Sequence, residues 1–204
     1  MTLRLHWFPL SGHSHRAELM LSLLGLPFEK ILVDVRTGAH KQPSFLSRNA
    51  LGQLPVLEDG ALTLPDSNAI LVYLAQRYDA SRRWLPIDPA VAGEVQRWLS
   101  IAAGELRWGP AALRLAAIFG MPIDKERATE LTDKVLRLAS DALAGRAFLV
   151  GDSPTIADVA MYTYLAHAPE GGVSLEPYAS VRAWLARIEA LPGFVGMQRA
   201  PAKG

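Results

Sequence analysis

The residues that could take part in binding or catalysis lie in a few short stretches of the chain. In Ser11-Gly12-His13-Ser14-His15, two hydroxyls and two imidazoles stand directly ahead of an apolar helical pattern. A serine hydroxyl is a weak nucleophile without a base, and no Gly-x-Ser-x-Gly turn is present to build a hydrolase elbow. The two histidines have no carboxylate or cysteine beside them to complete a metal set, so no metal is expected. Unaided, such hydroxyls donate one hydrogen bond or cap a helix, and Ser14 sits where an N-cap is needed. The second stretch, Asp66-Ser67, opens another helical pattern, where the same orphan N–H groups suit a cap or an anionic ligand. The third, Leu54-Pro55, is trans by default and reads as a proline entering an edge strand. Basic His40 and Lys41, in the loop Gly38-Ala39-His40-Lys41, read as solvated side chains or as anion contacts. The chain has no cysteine. That excludes disulfide frameworks, thiolate metal sites and cysteine nucleophiles, so any sulfur chemistry must use a sulfur that arrives with a ligand.

Alternating apolar residues over Thr2 to Phe8 predict a strand with Leu3, Leu5 and Trp7 inward and Arg4, His6 and Phe8 on the other face. After the loop Pro9 to His13, the spacing of Ala17, Met20, Leu21 and Leu24 predicts a helix closed by Gly25. Phe28 to Val33 reads as a second strand, joined to the first by a crossover, and a short apolar element surrounds Phe45 and Leu46. Val56-Leu57 and Leu62 to Leu64 flank Glu58-Asp59-Gly60-Ala61, a hairpin signal. A helix over Ser67 to Tyr78 completes the order β-α-β-α-β-β-α. Strand signals then stop. Ser81 to Pro89 reads as a linker, and Val95 to Leu106 as an unbroken helical stripe that Gly109-Pro110 breaks or kinks. Helices follow over Asp124 to Ala144, Thr155 to Ala166 and Pro177 to Ala190. Thr155-Ile156-Ala157-Asp158 is a capping-box variant with a structural role. Strands first and helices afterwards predict two domains, 1–80 and 90–204, with 81–89 as the linker.

The 204 residues are half hydrophobic and one-fifth charged, with a formal net charge of +1. This balance lacks the basic footprint of a nucleic-acid or anionic-lipid binder. The longest apolar stretches, such as Ala69 to Ala75, fall far short of a membrane span. The N-terminus lacks the pattern of a secretory signal, so a cytoplasmic protein is expected.

Three segments, in this order, resemble the cytosolic glutathione transferases, in particular a bacterial, serine-type member. They are Phe8-Pro9-Leu10-Ser11-Gly12-His13-Ser14; Asn49-Ala50-Leu51-Gly52-Gln53-Leu54-Pro55-Val56-Leu57 with Leu64-Pro65-Asp66-Ser67-Asn68-Ala69-Ile70; and Gly151-Asp152-Ser153-Pro154-Thr155-Ile156-Ala157-Asp158. The resemblance implies an α/β thioredoxin-like N-terminal domain, an all-α C-terminal domain, a homodimer, and glutathione as co-substrate conjugated to a hydrophobic electrophile in detoxification. It implies a cis Leu54-Pro55 bond whose leucine pairs with the tripeptide backbone. Asp66 and Ser67 would meet the γ-glutamyl end, Gln53 would bond the ligand, and His40 and Lys41 would hold the glycine carboxylate. Sulfur activation would fall to Ser11, with Ser14 as second choice. A thiol titrates near pKa 8.5, and lowering that by about two units takes roughly 2.7 kcal/mol. One hydrogen bond to a charged acceptor supplies about 1.5–3 kcal/mol, and a helix N-terminus about 0.3–1 kcal/mol. The electrophile pocket would draw on Leu10, Glu105, Trp108 and Pro110, with His167 if its loop folds back. The same thiolate could serve an isomerase or peroxidase, or the protein could be a non-catalytic glutathione-binding scaffold. Isomerase relatives carry Ser-Ser-Cys where this chain has Ser11-Gly12-His13, which counts against isomerisation.

Overall fold

Every second residue of β1 (Leu3–Trp7) is apolar, and Leu3 and Leu5 are buried on one face of the sheet. The structure, a computed structural model, describes residues 2–200. β1 runs parallel to β2 (Phe28–Leu32), with Leu3 opposite Phe28, and antiparallel to β3 (Val56–Asp59), with His6 opposite Val56. β3 pairs antiparallel with β4 (Leu62–Pro65), giving the order β2-β1-β3-β4 among the described residues. α1 (Gly12–Leu23) connects the two parallel strands, α2 (Pro43–Leu46) follows β2, and α3 (Ser67–Tyr78) follows the hairpin. The element order is the expected β-α-β-α-β-β-α. Ala17, Met20 and Leu21 of α1 join Ile70, Leu71 and Leu74 of α3 in a core shared with Leu5 and Leu57. The hairpin loop is Gly60-Ala61, with Asp59 still paired to Leu62. The Asp59 carboxylate instead accepts hydrogen bonds from the hydroxyls of Tyr73 and Tyr78, which tie α3 to the end of β3.

The opposite face of β1 is not the solvated face that alternation predicts. His6 and Phe8 are both buried. His6 sits edge-on to the ring of Phe45, and its Nε2 lies 3.0 Å from Glu58. Glu58 also pairs with Arg4 at 3.0 Å and Arg48 at 2.8 Å. Val33, Phe45 and Val56 form an apolar cluster, with Ala39 and Leu54 packed against it. The chain between β2 and β3 thus folds over the face that a strand pattern alone leaves to water.

The chain forms two compact units, the first comprising the residues up to Ala80 together with Pro192–Gln198, the second built on Ser81–Leu191. The late segment is fastened within the first unit: Ser22 Oγ donates to Gly193 O at 2.6 Å, and His15 Nε2 lies 2.8 Å from Val195 O.

The second unit contains α4 (Pro89–Ala103), α5 (Glu105–Trp108), α6 (Pro110–Phe119), α7 (Lys125–Ala142), α8 (Ile156–Ala166) and α9 (Ala179–Glu189). The apolar stripe from Val95 to Leu106 is interrupted at Gly104, so the expected unbroken helix is corrected to two. A second break falls at Gly109, as Gly109-Pro110 predicts. There a Cβ would stand 2.8 Å from Glu105 O and 2.9 Å from Thr132 N, an approach only glycine permits. α8 is almost wholly buried, and its Thr155–Asp158 capping box is formed as expected. Asp158 accepts from the N–H groups of Leu149 and Thr155, the Thr155 hydroxyl and the Trp184 indole. Burial still pushes its carboxyl up. Arg114, fully buried, donates to Glu170 at 2.7 Å, and Glu170 in turn meets His167 at 2.8 Å. The architecture is a thioredoxin-like unit with a mixed sheet, followed by a helical one.

Candidate functional site

Ser11, not Ser14, is the N-cap of α1, which corrects the expectation for Ser14. The helix begins at Gly12, and the half-exposed Ser11 accepts the Ser14 N–H on its hydroxyl oxygen at 3.2 Å. An N-cap oxygen that accepts one bond keeps its own proton for another partner. Ser14 is fully buried, and its oxygen accepts the Phe8 N–H at 3.3 Å. It satisfies the backbone donor just past the end of β1.

Asp66 caps α3, accepting the Ala69 N–H at 2.9 Å. Its φ of 77° lies in the left-handed region, where a non-glycine residue is uncommon. That turn leaves Asp66 exposed and buries Ser67, whose hydroxyl lies 3.3 Å from Arg16 Nη1 and 3.3 Å from His13 Nδ1. The acid, the hydroxyl and the helix N-terminus therefore converge in the unit that also carries Ser11.

The Leu54-Pro55 bond is cis, as the resemblance implies. Before it, Asn49 holds the loop: its side-chain amide donates to Gln53 O at 2.9 Å, and its Oδ1 accepts the Leu51 N–H at 3.1 Å. Gln53 is exposed and Leu54 half-buried. Gly52 has a φ of 58°, and a Cβ there would lie 2.7 Å from His40 O. Glycine is required at that crossing of the two loops. Lys41 reaches over the same point and donates to Leu51 O at 3.1 Å and Gly52 O at 3.2 Å. His40 is half-buried, and its Nδ1 meets no hydrogen-bond partner among the described residues. Burial, then the neighbouring Lys41 charge, holds its imidazole below the ordinary value of 6.5.

The four electrophile-pocket candidates do not share one environment. Leu10 lies half-buried in the loop between β1 and α1. Pro110 is buried as the first residue of α6. Glu105 faces Lys134 of α7 at 3.6 Å. Trp108 is 61% exposed. With Leu115, Met121 and Ile123 it lines a cavity of about 470 Å³ in the second unit, with Arg107 and Arg127 among its walls. That volume suits a small organic ligand. His167 is buried against Glu170, and burial, only partly offset by that carboxylate, lowers its pKa.

The sequence reading left Arg16 and Asn49 outside the site. The signal for Arg16 was a charge on the buried stripe of α1: Arg16, Leu19 and Met20 follow a helical spacing and all three are buried.

Residues 1–76 match the family description "Glutathione S-transferase, N-terminal domain", and residues 113–192 match "Glutathione S-transferase, C-terminal domain". Glutathione S-transferase theta-2 of Mus musculus is 31% identical over 202 residues, covering 95% of this chain and 83% of the relative. Glutathione S-transferase 3 of Zea mays is 35% identical over 204 residues, covering 94% of this chain and 91% of the relative. The crystal structure of a glutathione S-transferase from Pseudomonas fluorescens Pf-5 superposes with a TM-score of 0.90 at 31% identity, covering 98% of this chain and all of that one.

Proposed function

The chain belongs to the cytosolic glutathione S-transferase family, and on that premise we propose that it conjugates the glutathione thiolate to electrophilic small molecules. The observation that carries this reading is Ser11: a half-exposed hydroxyl at the mouth of α1, its oxygen engaged by the Ser14 N–H and its proton left to donate. A sulfur beside it receives that proton's hydrogen bond together with the field of the α1 N-terminus. The burial of Ser14, with its oxygen turned to Phe8, supports Ser11 over Ser14 as the sulfur's partner.

The tripeptide lies along the same unit. Its cysteinyl backbone pairs with the N–H and C=O of Leu54, in the manner of an added strand. Its γ-glutamyl carboxylate takes the Ser67 hydroxyl and the α3 N-terminus, its amino group takes Asp66, and Gln53 adds a side-chain bond. His40 meets the glycine carboxylate as an N–H donor, while Lys41 holds the loop through Leu51 and Gly52 and lends its charge. The electrophile is apolar and rests against Trp108 in the cavity of the second unit. The protein works as a homodimer.

Ultraviolet titration of bound glutathione tests this. Wild type is expected to lower the thiol pKa by about two units, and Ser11→Ala to return at least half of that shift while cutting kcat/KM about 10–100-fold. A bound thiol that titrates like the free one, or is indifferent to Ser11→Ala, removes the mechanism. Retention on glutathione resin without turnover of a chloronitrobenzene, a hydroperoxide or a maleyl-type substrate would leave a binding protein.

A further inference from the structure

A buried cation lies behind the anion end of this site. Arg16 is 1% exposed, and its Nη1 stands 3.2 Å from His13 Nδ1, 3.3 Å from Ser67 Oγ and 3.5 Å from Asn68 Oδ1. A guanidinium has donors only and keeps its proton, so Arg16 is the donor in these contacts, its two Nη1 hydrogens shared among the three acceptors. His13 Nδ1 therefore acts as an acceptor in this geometry, which puts the ring N–H on Nε2. An imidazole nitrogen offers a single lone pair. With Arg16 directed at it, His13 Nδ1 is a poor acceptor for the Ser67 hydroxyl 3.3 Å away. The Ser67 oxygen, accepting from a charged donor, is left with a polarised O–H and needs an acceptor elsewhere. Removed from solvent, the Arg16 charge is also weakly screened by salt.

We propose that Arg16, steered by His13, is a positioning residue for carboxylate recognition. It orients and polarises the Ser67 hydroxyl toward the carboxylate of the γ-glutamyl arm, and supplies the charge that the exposed helix end alone lacks. The proposal rests on the reading of glutathione as the ligand.

Calorimetric titration with two ligands separates this role from a purely structural one: glutathione, and γ-aminobutyryl-Cys-Gly, which keeps the amine and thiol but lacks the γ-glutamyl carboxylate. Arg16→Gln is expected to weaken glutathione binding about tenfold or more and the decarboxylated ligand by less than about twofold. In turnover, the loss appears as a higher KM for glutathione with kcat nearly kept. Equal losses for both ligands assign Arg16 to folding alone and overturn the proposal, as does no loss for either. Should Arg16→Gln fail to fold, His13→Leu at a half-buried position is expected to reduce the preference for glutathione over the decarboxylated ligand about threefold. An unchanged preference in that folded variant overturns the proposal. If wild type binds neither ligand, the reading of glutathione as ligand fails first, and is seen to fail before any variant is made.

Discussion

Replacing Asp158 by alanine removes an acceptor shared by four donors in the interior of the second unit. Its Oδ1 takes the Leu149 N–H and the Trp184 indole N–H, each at 2.9 Å. Its Oδ2 takes the Thr155 N–H at 2.8 Å and the Thr155 hydroxyl at 3.2 Å. The residue is 1% exposed, so water does not readily replace the lost oxygens. A buried donor left without a partner costs about 1–3 kcal/mol. Burial already pushes the carboxyl up, which places a desolvation cost on the native ion and holds the expected loss below the full sum of four. We expect Asp158→Ala to cost about 4–6 kcal/mol, a large share of the ~5–15 kcal/mol that folded proteins possess. Asp158→Asn keeps Oδ1 but sets an amide NH2 against the two donors of Thr155, for an expected loss of about 2–4 kcal/mol. Asp124→Ala is the control, since Asp124 caps α7 by accepting one N–H, from Arg127, at an exposed position. Its expected cost is about 1 kcal/mol. Urea unfolding followed by circular dichroism and tryptophan fluorescence reads all three. If Asp158→Ala costs no more than Asp124→Ala, burial and donor number do not control this site, and the reasoning is refuted.

Two further outcomes follow from charge and exposure. Burial alone would raise the Glu58 carboxyl, but hydrogen bonds from Arg48 and His6 and the Arg4 charge hold it below its ordinary value of 4.5. A lowered folded pKa gives stabilisation that is complete above the unfolded value and is lost as pH falls through the folded one. Glu58→Gln should therefore unfold more readily than wild type at neutral pH and converge with it in acid; parallel stability curves across that range would sink the assignment. Trp108 is 61% exposed, so Trp108→Ala should change stability by under about 1 kcal/mol. On the proposed reading it raises KM for an apolar electrophile about 3–10-fold while KM for glutathione stays put. Equal electrophile kinetics in the two proteins would remove Trp108 from the pocket.

Much of the order of elements was legible because periodicity and turn residues report on local structure. The Thr155–Asp158 capping box shows this: both halves of the motif lie within four residues and each satisfies the other's backbone. The interruption at Gly104 was hidden by the same periodicity, since an apolar stripe records which face is buried and not whether the axis continues. Ser11 and Ser14 stand three apart and either could have capped α1. The choice turns on the Phe8 N–H, a buried donor that needed an acceptor from the next element. His6 read as a solvent-facing residue because alternation cannot see Phe45, Arg48 and Glu58 arriving from elsewhere to enclose it. Arg16 is the sharpest case: a charge on an apolar stripe looks like an exception in the sequence, and its partners His13, Ser67 and Asn68 are assembled only when α1 meets α3.

The fastening of Pro192–Gln198 to α1 bears on how the protein is made. Ser22 and Gly193 are 171 residues apart, and His15 and Val195 are 180 apart. During synthesis the sheet and its helices can leave the ribosome and collapse long before their last strap exists. The first unit thus spends most of translation with a seam open along α1, and closes it only after the helical unit has emerged. A fragment cut after Ala80 would keep that seam permanently undone, however complete its strands and helices.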